Sequence, residues 1–186
     1  MKRIKDNIEK KDFRFLINFL EADENIRASR KNRLQKIFTL LYTTGIRLNE
    51  VQELTEDKLI ELIETGKTKI IASKQKKEKF IYLSVPDRKL VQKHFNEERG
   101  FSLLSERKNK FHSIALINDV NSYLKKVFPN KNITSHSFRQ TLITELAHKS
   151  INPSTIQHLV GHKDVKTTLG YIKVSEENIF NALETR

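Results

Sequence analysis

Apolar residues recur every three or four positions over most of this chain, and this recurrence predicts a mainly helical protein. Residues 12–20 show it first, and residues 30–44 repeat it with Leu34, Ile37, Phe38 and Leu41. The same spacing, together with helix start and stop signals, predicts further helices over residues 86–100, 113–128, 153–160 and 165–171, and from residues 135 and 175 onward.

A single region has the composition of β-strands. Residues 58–63, 67–72 and 79–83 are rich in isoleucine, leucine and aromatic residues, and Gly66 marks a turn between the first two segments. The last two segments flank a lysine-rich stretch, which predicts a hairpin with a basic tip.

Several polar residues lie where helices are predicted to begin or end. Gly45 can end the helix over residues 30–44, because glycine tolerates the left-handed conformation that follows many helices. Asn49 can cap a short helix over residues 50–54, so Arg47 lies in a tight joint between two helices. Ser135 can cap the helix that carries His136 and Arg139.

Composition narrows the class of protein. The chain has 186 residues, enough for one domain with a sizeable core. Its net charge of +12 favours a polyanionic partner, although a lysine-rich proteome would also supply solvated lysines. With no cysteine, disulfides and thiolate metal sites are excluded. No apolar stretch approaches the roughly 20 residues that would span a bilayer.

Five polar side chains suit chemistry on a phosphodiester. Attack on phosphorus needs a nucleophile, neutralisation of the non-bridging oxygens and a proton for the leaving oxygen. A tyrosine hydroxyl can attack, two guanidiniums can bind phosphate oxygens in a rigid fork, and histidines can move protons. In chain order the candidates are Arg47, His136, Arg139, His162 and Tyr171.

Each candidate residue alone is common in proteins. The order and spacing of all five together are what make the pattern specific. Arg47 follows Thr44-Gly45-Ile46, His136 and Arg139 are three residues apart, His162 follows Gly161, and Tyr171 lies nine residues further on. In this order the chain resembles the catalytic domain of the tyrosine recombinase (phage integrase) family, from residue 12 to the C-terminus. The short motifs are most similar to the Xer and integron branches.

The resemblance implies an α/β fold, mainly helical with a small antiparallel sheet, and DNA strand exchange through a covalent 3′-phosphotyrosyl link at Tyr171. Arg47, His136, Arg139 and His162 would hold the scissile phosphate, and Glu50 would support Arg47. The family uses a hairpin lysine as general acid, and Lys74 matches it. Ser73 and Gln75 replace the usual glycines there, and Gln140 and Val160 also depart from common family residues.

Lysines on the hairpin have further expected roles. Lys76 and Lys77 are rival candidates for the general acid, and Lys76, Lys77 and Lys79 are expected to bind DNA. No metal and no ATP is implied.

The expected organisation is a basic N-terminal tail at residues 1–11, a catalytic domain at 12–174 and a C-terminal helix at 175–186. That helix would dock on a neighbouring subunit through Ile179, Phe180 and Leu183. The expected partner is double-stranded DNA in the prokaryotic cytoplasm, bound as a homotetramer, with a monomer in the absence of DNA. The family's N-terminal DNA clamp would be truncated or lacking.

Two alternatives remain open from the sequence. A type IB topoisomerase would use the same chemistry to relax supercoils, and a non-catalytic DNA-binding module would retain the site as a vestige.

Overall fold

The computed structural model describes residues 5–72, 77–96, 99–100, 110–170 and 184. Within these residues the fold is mainly helical with one two-stranded antiparallel sheet, which confirms the predicted fold class. In chain order the elements are α1 Lys10–Ala22, α2 Ala28–Thr44, a 3₁₀ helix Leu48–Glu53, α3 Glu56–Thr65, β1 Lys67–Ile71, β2 Glu78–Tyr82, α4 Val85–His94, α5 Lys110–Val127, α6 Ser135–His148, α7 Pro153–Val160 and α8 Val165–Leu169.

Helix α2 lies at the centre of the main hydrophobic core. Every residue from Leu34 to Leu41 is buried, so this half of the helix is covered on all sides by its neighbours. α1, α4 and α6 all pack against α2. Phe38 of α2 contacts two helices, because its ring stacks on Phe138 of α6 at 6.0 Å and lies 6.2 Å from Tyr123 of α5.

A smaller apolar cluster attaches α7 to α6. Ile143 of α6 meets Ile156 and Val160 of α7, and all three side chains are buried. Because the cluster is small, α7 needs further contacts to fix the position of its C-terminal end, and polar side chains of the candidate site supply them.

The hairpin has a fixed inner face. Ile70 pairs with Lys79 and Thr68 pairs with Ile81 across the two strands. Since alternate residues of a strand point to opposite faces, Lys79 shares the inward side with Ile81, while Phe80 and Tyr82 are exposed on the outward side. The hairpin therefore carries a lysine into the protein.

The first strand predicted from the sequence is wrong. Residues 58–63 belong to α3, in which Leu59 and Leu62 are buried at helical spacing. Acidic residues occupy the first turn of α3, where their negative charge interacts favourably with the helix dipole. Gly66 ends the helix with a φ of 81°. β-Branched isoleucines suggested a strand, but the tertiary packing of one apolar face favours the helix.

Other helix boundaries differ from the predicted ones. α4 ends at His94 rather than at residue 100, because Phe95 leaves the helix and is fully buried. The 3₁₀ helix begins at Leu48, so Arg47 and not Asn49 precedes its first residue. Thr134, rather than Ser135, precedes α6.

Residues 5–9 pack onto the domain, although the sequence suggests a basic tail up to residue 11. Ile8 is fully buried, and its backbone N–H donates to Thr141 Oγ1 of α6 at 2.8 Å. Asp6 accepts a hydrogen bond from the Asn132 backbone N–H at 2.6 Å. The C-terminal helix predicted from residue 175 lies outside the described residues, apart from Glu184.

A buried carboxylate joins α1 to α5. Asp23 follows the last turn of α1, and its Oδ2 accepts hydrogen bonds from Lys126 Nζ at 2.5 Å and from the Tyr123 hydroxyl at 3.0 Å. The hydrogen bond from Lys126, with those from Tyr123 and the Asn25 backbone, lowers the pKa of Asp23 to about 2 against the opposing effect of burial.

This depressed pKa predicts an acid-dependent loss of stability. The contribution of Asp23 is complete above its unfolded-state pKa of about 3.9 and is lost as pH falls toward about 2. Asp23→Asn should lower the thermal midpoint at pH 6 and flatten its decline between pH 5 and pH 2. The check is a series of thermal melts, with the exposed Asp57→Asn as control. Equal declines in Asp23→Asn and wild type would contradict the assignment.

Candidate active site

The joint between α2 and the 3₁₀ helix fixes the backbone of Arg47. Gly45 ends α2 with a φ of 60°, and a Cβ at this position would lie 2.6 Å from Leu142 Cδ2, so no other residue fits there without rearrangement. Two residues later, the Arg47 backbone N–H donates to Glu50 Oε2 at 3.1 Å. The side chain of Glu50 thus holds the backbone of the joint in place.

The Glu50 carboxylate is fully buried and joins Arg47 to the hairpin. Its Oε1 accepts a hydrogen bond from Arg47 Nη1 at 2.8 Å, and its Oε2 accepts one from Lys79 Nζ at 2.7 Å. The side chains of Arg47 and Lys79 are only 15% and 9% exposed. One carboxylate therefore holds two cations from segments about thirty residues apart.

The charged side chains of this group shift one another's pKa values. Burial would raise the pKa of Glu50, but Lys79 and Arg47 outweigh burial, so the net shift is downward and the carboxylate stays ionised. Burial lowers the pKa of Lys79 despite the neighbouring carboxylate, and the nearby guanidiniums of Arg139 and Arg47 lower it further.

The two arginines bind the C-terminal ends of two helices. Arg139 is 5% exposed, and its Nη1 donates to the Gly45 carbonyl at 3.0 Å while its Nη2 donates to the Val160 carbonyl. Arg47 Nη2 donates to the Gly161 carbonyl at 3.2 Å. The last carbonyls of a helix lack partners within the helix, so the guanidiniums satisfy these groups and fix α7 against α2.

His162 follows α7 directly. Gly161 ends the helix with a φ of 66°, and the His162 backbone N–H donates to the Gln157 carbonyl at 3.0 Å. The imidazole Nδ1 is hydrogen-bonded to Thr168 Oγ1 of α8 at 2.9 Å, and Thr168 is fully buried. This bond fixes the ring, and the turn places His162 next to the carbonyls that Arg47 and Arg139 bind.

The structure thus brings together Arg47, Glu50, Arg139 and the turn that carries His162. His136 lies in the first turn of α6, one turn before Arg139, with an exposed side chain. Lys77 is exposed where β2 begins. Lys74, Lys76 and Tyr171 lie outside the described residues.

The other tyrosines differ in their access to a ligand. Tyr123 is buried and donates to Asp23, and burial raises its pKa, so it is unsuited to act as a nucleophile. Tyr42 stacks on Phe13 at 4.0 Å, and burial raises its pKa also. Tyr82 is 42% exposed on the outer face of the hairpin.

Two features of the site differ from or extend the sequence prediction. Lys79 was expected to bind DNA, yet its ammonium is buried against Glu50, since strand alternation turns it inward. Thr168 was not expected to contact His162. The only sequence signal for Thr168 is its place in a short helix six residues after the histidine.

Among the described residues, no three or more histidine, cysteine, aspartate or glutamate side chains lie together in a way that could hold a metal ion. Among the same residues no helix is both long and apolar enough to cross a membrane.

Comparison with known proteins agrees with this geometry. Residues 6–178 match the phage integrase family, and the chain belongs to that family. The match covers the joint of Arg47, the α6 pair of His136 and Arg139, the turn of His162, and Tyr171.

Among individual relatives, the chain is similar to tyrosine recombinase XerC of Leptospira interrogans, with 30% identity over 163 residues, which is 84% of this chain and 51% of the relative. Tyrosine recombinase XerD of Lacticaseibacillus casei is 28% identical over 160 residues, 79% of this chain and 52% of the relative. The chain therefore spans about half the length of these curated relatives.

Solved structures share the fold. A crystal structure of XerA recombinase superposes with a TM-score of 0.68 at 17% identity, covering 99% of this chain and 64% of that one. The Tn1549 transposon integrase, solved in complex with a circular intermediate DNA, superposes with a TM-score of 0.70 at 16% identity, covering 100% of this chain and 67% of that one.

The Glu50 contacts predict a large loss of stability in Glu50→Gln. This variant leaves the Lys79 ammonium buried without its carboxylate, and breaking a buried pair in this way costs about 3–5 kcal/mol. Urea unfolding measures the change. The control Glu64→Gln, at an exposed position of α3, should shift the unfolding free energy by less than about 0.5 kcal/mol. A comparably small shift in Glu50→Gln would contradict the role of the buried carboxylate.

Proposed function

We propose that this chain is the catalytic part of a site-specific DNA recombinase that cleaves and rejoins DNA through a covalent 3′-phosphotyrosyl intermediate. The observation that carries the proposal is a cluster of cations: Arg47 and Lys79 pair with the buried carboxylate of Glu50, and Arg139 binds the nearby carbonyls of Gly45 and Val160. The Tn1549 relative, solved with DNA, and the recombinases XerC and XerD support the choice of substrate.

The positive charge suits a phosphodiester. A guanidinium has five N–H groups, and the two side-chain bonds that anchor Arg47 to Glu50 and Gly161 occupy two of them. Anchored donors lose little freedom when a phosphate binds, so they stabilise charge that develops on its oxygens during reaction. His162, fixed by Thr168, is suited to donate to or accept from the same oxygens.

The proposed reaction has two steps. The Tyr171 hydroxyl gives its proton to a histidine of the site, His162 or His136, and its oxygen attacks phosphorus, so that a tyrosyl oxygen–phosphorus bond forms while the bond to the 5′-oxygen breaks. Lys74 supplies the proton that the departing 5′-oxygen needs, with Lys76 and Lys77 as the rival donors. In the second step a 5′-hydroxyl of another strand returns a proton to the lysine and attacks the phosphotyrosyl link, and the departing Tyr171 oxygen takes back its proton from the histidine. The bond energy is conserved, and neither metal nor ATP is required.

The proposed working unit is residues 12–174, with residues 175–186 as a subunit contact and a homotetramer assembled on DNA. A mutual exchange of strands needs four active sites, since each duplex is cut twice. The alternatives of supercoil relaxation and non-catalytic binding have no specific observation in their favour.

The nucleophile can be tested with a nicked duplex that traps the covalent intermediate. Tyr171→Phe should keep duplex affinity close to wild type and form no adduct on a denaturing gel, because only the attacking oxygen is removed. Tyr82→Phe is the matched control and should form adduct at the wild-type level. An adduct that persists in Tyr171→Phe and disappears in Tyr82→Phe would move the nucleophile to the hairpin.

Duplex binding should depend steeply on salt. Each phosphate contact releases condensed counterions, and log affinity falls against log salt with a slope of about −0.9 per contact. Lys77→Gln should reduce the magnitude of that slope by about 0.9 if Lys77 contacts a phosphate. Titrations at several salt concentrations measure the slope, with Glu64→Gln as the unchanged control. A nearly flat plot for the wild type would refute DNA binding.

A further inference from the structure

We propose that Lys79 is a positioning residue of the active site, which holds Arg47 through Glu50 and supports the turn of His162 through Gly161. The inference rests on the proposed function for its effect on cleavage. The positioning itself rests on contacts among described residues alone. It gives Lys79 a role different from both DNA binding and proton donation.

The first contact is the ion pair with Glu50. Lys79 Nζ lies 2.7 Å from Glu50 Oε2, and this same oxygen accepts from the Arg47 backbone while Oε1 accepts from Arg47 Nη1. The carboxylate therefore cannot rotate without breaking a bond to Lys79 or to Arg47. Lys79 thus restricts the one group that orients the Arg47 guanidinium.

The second contact is with Gly161. A Cβ on Gly161 would lie 3.1 Å from Lys79 Cδ, which means that the methylene chain of the lysine runs directly against this residue. The Gly161 carbonyl also accepts a hydrogen bond from Arg47 Nη2, and Gly161 precedes His162 in the chain. The lysine stem therefore supports, from the hairpin side, the turn that Arg47 holds from the other side.

Proton donation to the substrate does not fit the same geometry. The side chain is 9% exposed, and its ammonium is directed at a buried carboxylate. To reach a leaving oxygen, Lys79 would have to break its ion pair with Glu50 and leave that buried carboxylate short of one cation. Contact with DNA from the outer face is opposed by the same burial.

The test compares Lys79→Met with the matched control Lys67→Met, an exposed lysine on the other strand of the same hairpin. Lys79→Met keeps an unbranched side chain that is one atom shorter and removes the charge. Single-turnover cleavage of the nicked duplex should fall by about 10- to 100-fold, the loss expected when a catalytic group is misplaced by about 1 Å. Duplex affinity should change little, and Lys67→Met should behave as wild type.

A substrate with a bridging 5′-phosphorothiolate separates positioning from proton donation. Sulfur leaves without protonation, so this substrate should rescue Lys74→Ala but not Lys79→Met, in which Arg47 remains misplaced. Full rescue of Lys79→Met would overturn the proposal and make Lys79 the general acid.

Lys79→Arg, which retains a cationic donor for Glu50, should recover a large part of the cleavage rate. Equal loss in Lys79→Arg and Lys79→Met would also overturn it.

A spectroscopic readout decides the positioning even if the protein cleaves no DNA. The Nε–H signal of Arg47, assigned by its disappearance in Arg47→Lys, should move in Lys79→Met and stay in place in Lys67→Met. An unmoved signal would overturn the proposal. If wild type forms no covalent adduct, the proposed function fails and this signal still decides the role of Lys79. If Lys79→Met does not fold, Lys79→Gln, which also removes the cation but keeps a polar side chain beside Glu50, carries the same measurements.

Discussion

The Glu50 carboxylate is buried, and the positions of the other residues of the site depend on this burial. An ionised carboxylate loses its hydration on burial, a cost of several kcal/mol that only close cations and hydrogen bonds offset. Arg47 and Lys79 provide both. Because these residues come from the joint after α2 and from the hairpin, the carboxylate can be accommodated only when both segments are in place. Folding of the site is thereby coupled to folding of the domain.

The arginines have two roles that reinforce each other. They satisfy carbonyls at the ends of α2 and α7, which would otherwise lack partners, and they concentrate positive charge there. The helix dipole makes the C-terminal end of a helix favourable for cations, so the fold itself offsets part of their mutual repulsion. A bound phosphate would offset the remainder. Under the proposed function, the same interactions that stabilise α7 also prepare the site for an anion.

Local signals in the sequence predict much of this architecture. Gly45 and Gly161 both mark helix ends because left-handed backbone favours glycine, and both have positive φ in the structure. The apolar period predicts α1 and α2 because their apolar residues repeat every three to four positions, although the second half of α2 is buried on all sides. The same rule fails for residues 58–63, where isoleucines at strand-like positions compete with the helical spacing of Leu59 and Leu62. Burial of one face decides that competition, and burial is a tertiary property.

The inward direction of Lys79 illustrates what local patterns cannot decide. Apolar residues occupy both faces of the strand around it, with Phe80 and Tyr82 on one side and Ile81 on the other, so hydrophobicity does not say which face is buried. The pairing with β1 decides it, because Thr68 and Ile70 face the core. A lysine is tolerated on that buried face only if a carboxylate lies next to its ammonium group. Glu50 provides this carboxylate from a different segment of the chain. Arg47 and Arg139 could be predicted because their motifs are local, whereas their support depends on strand register and on contacts between distant segments.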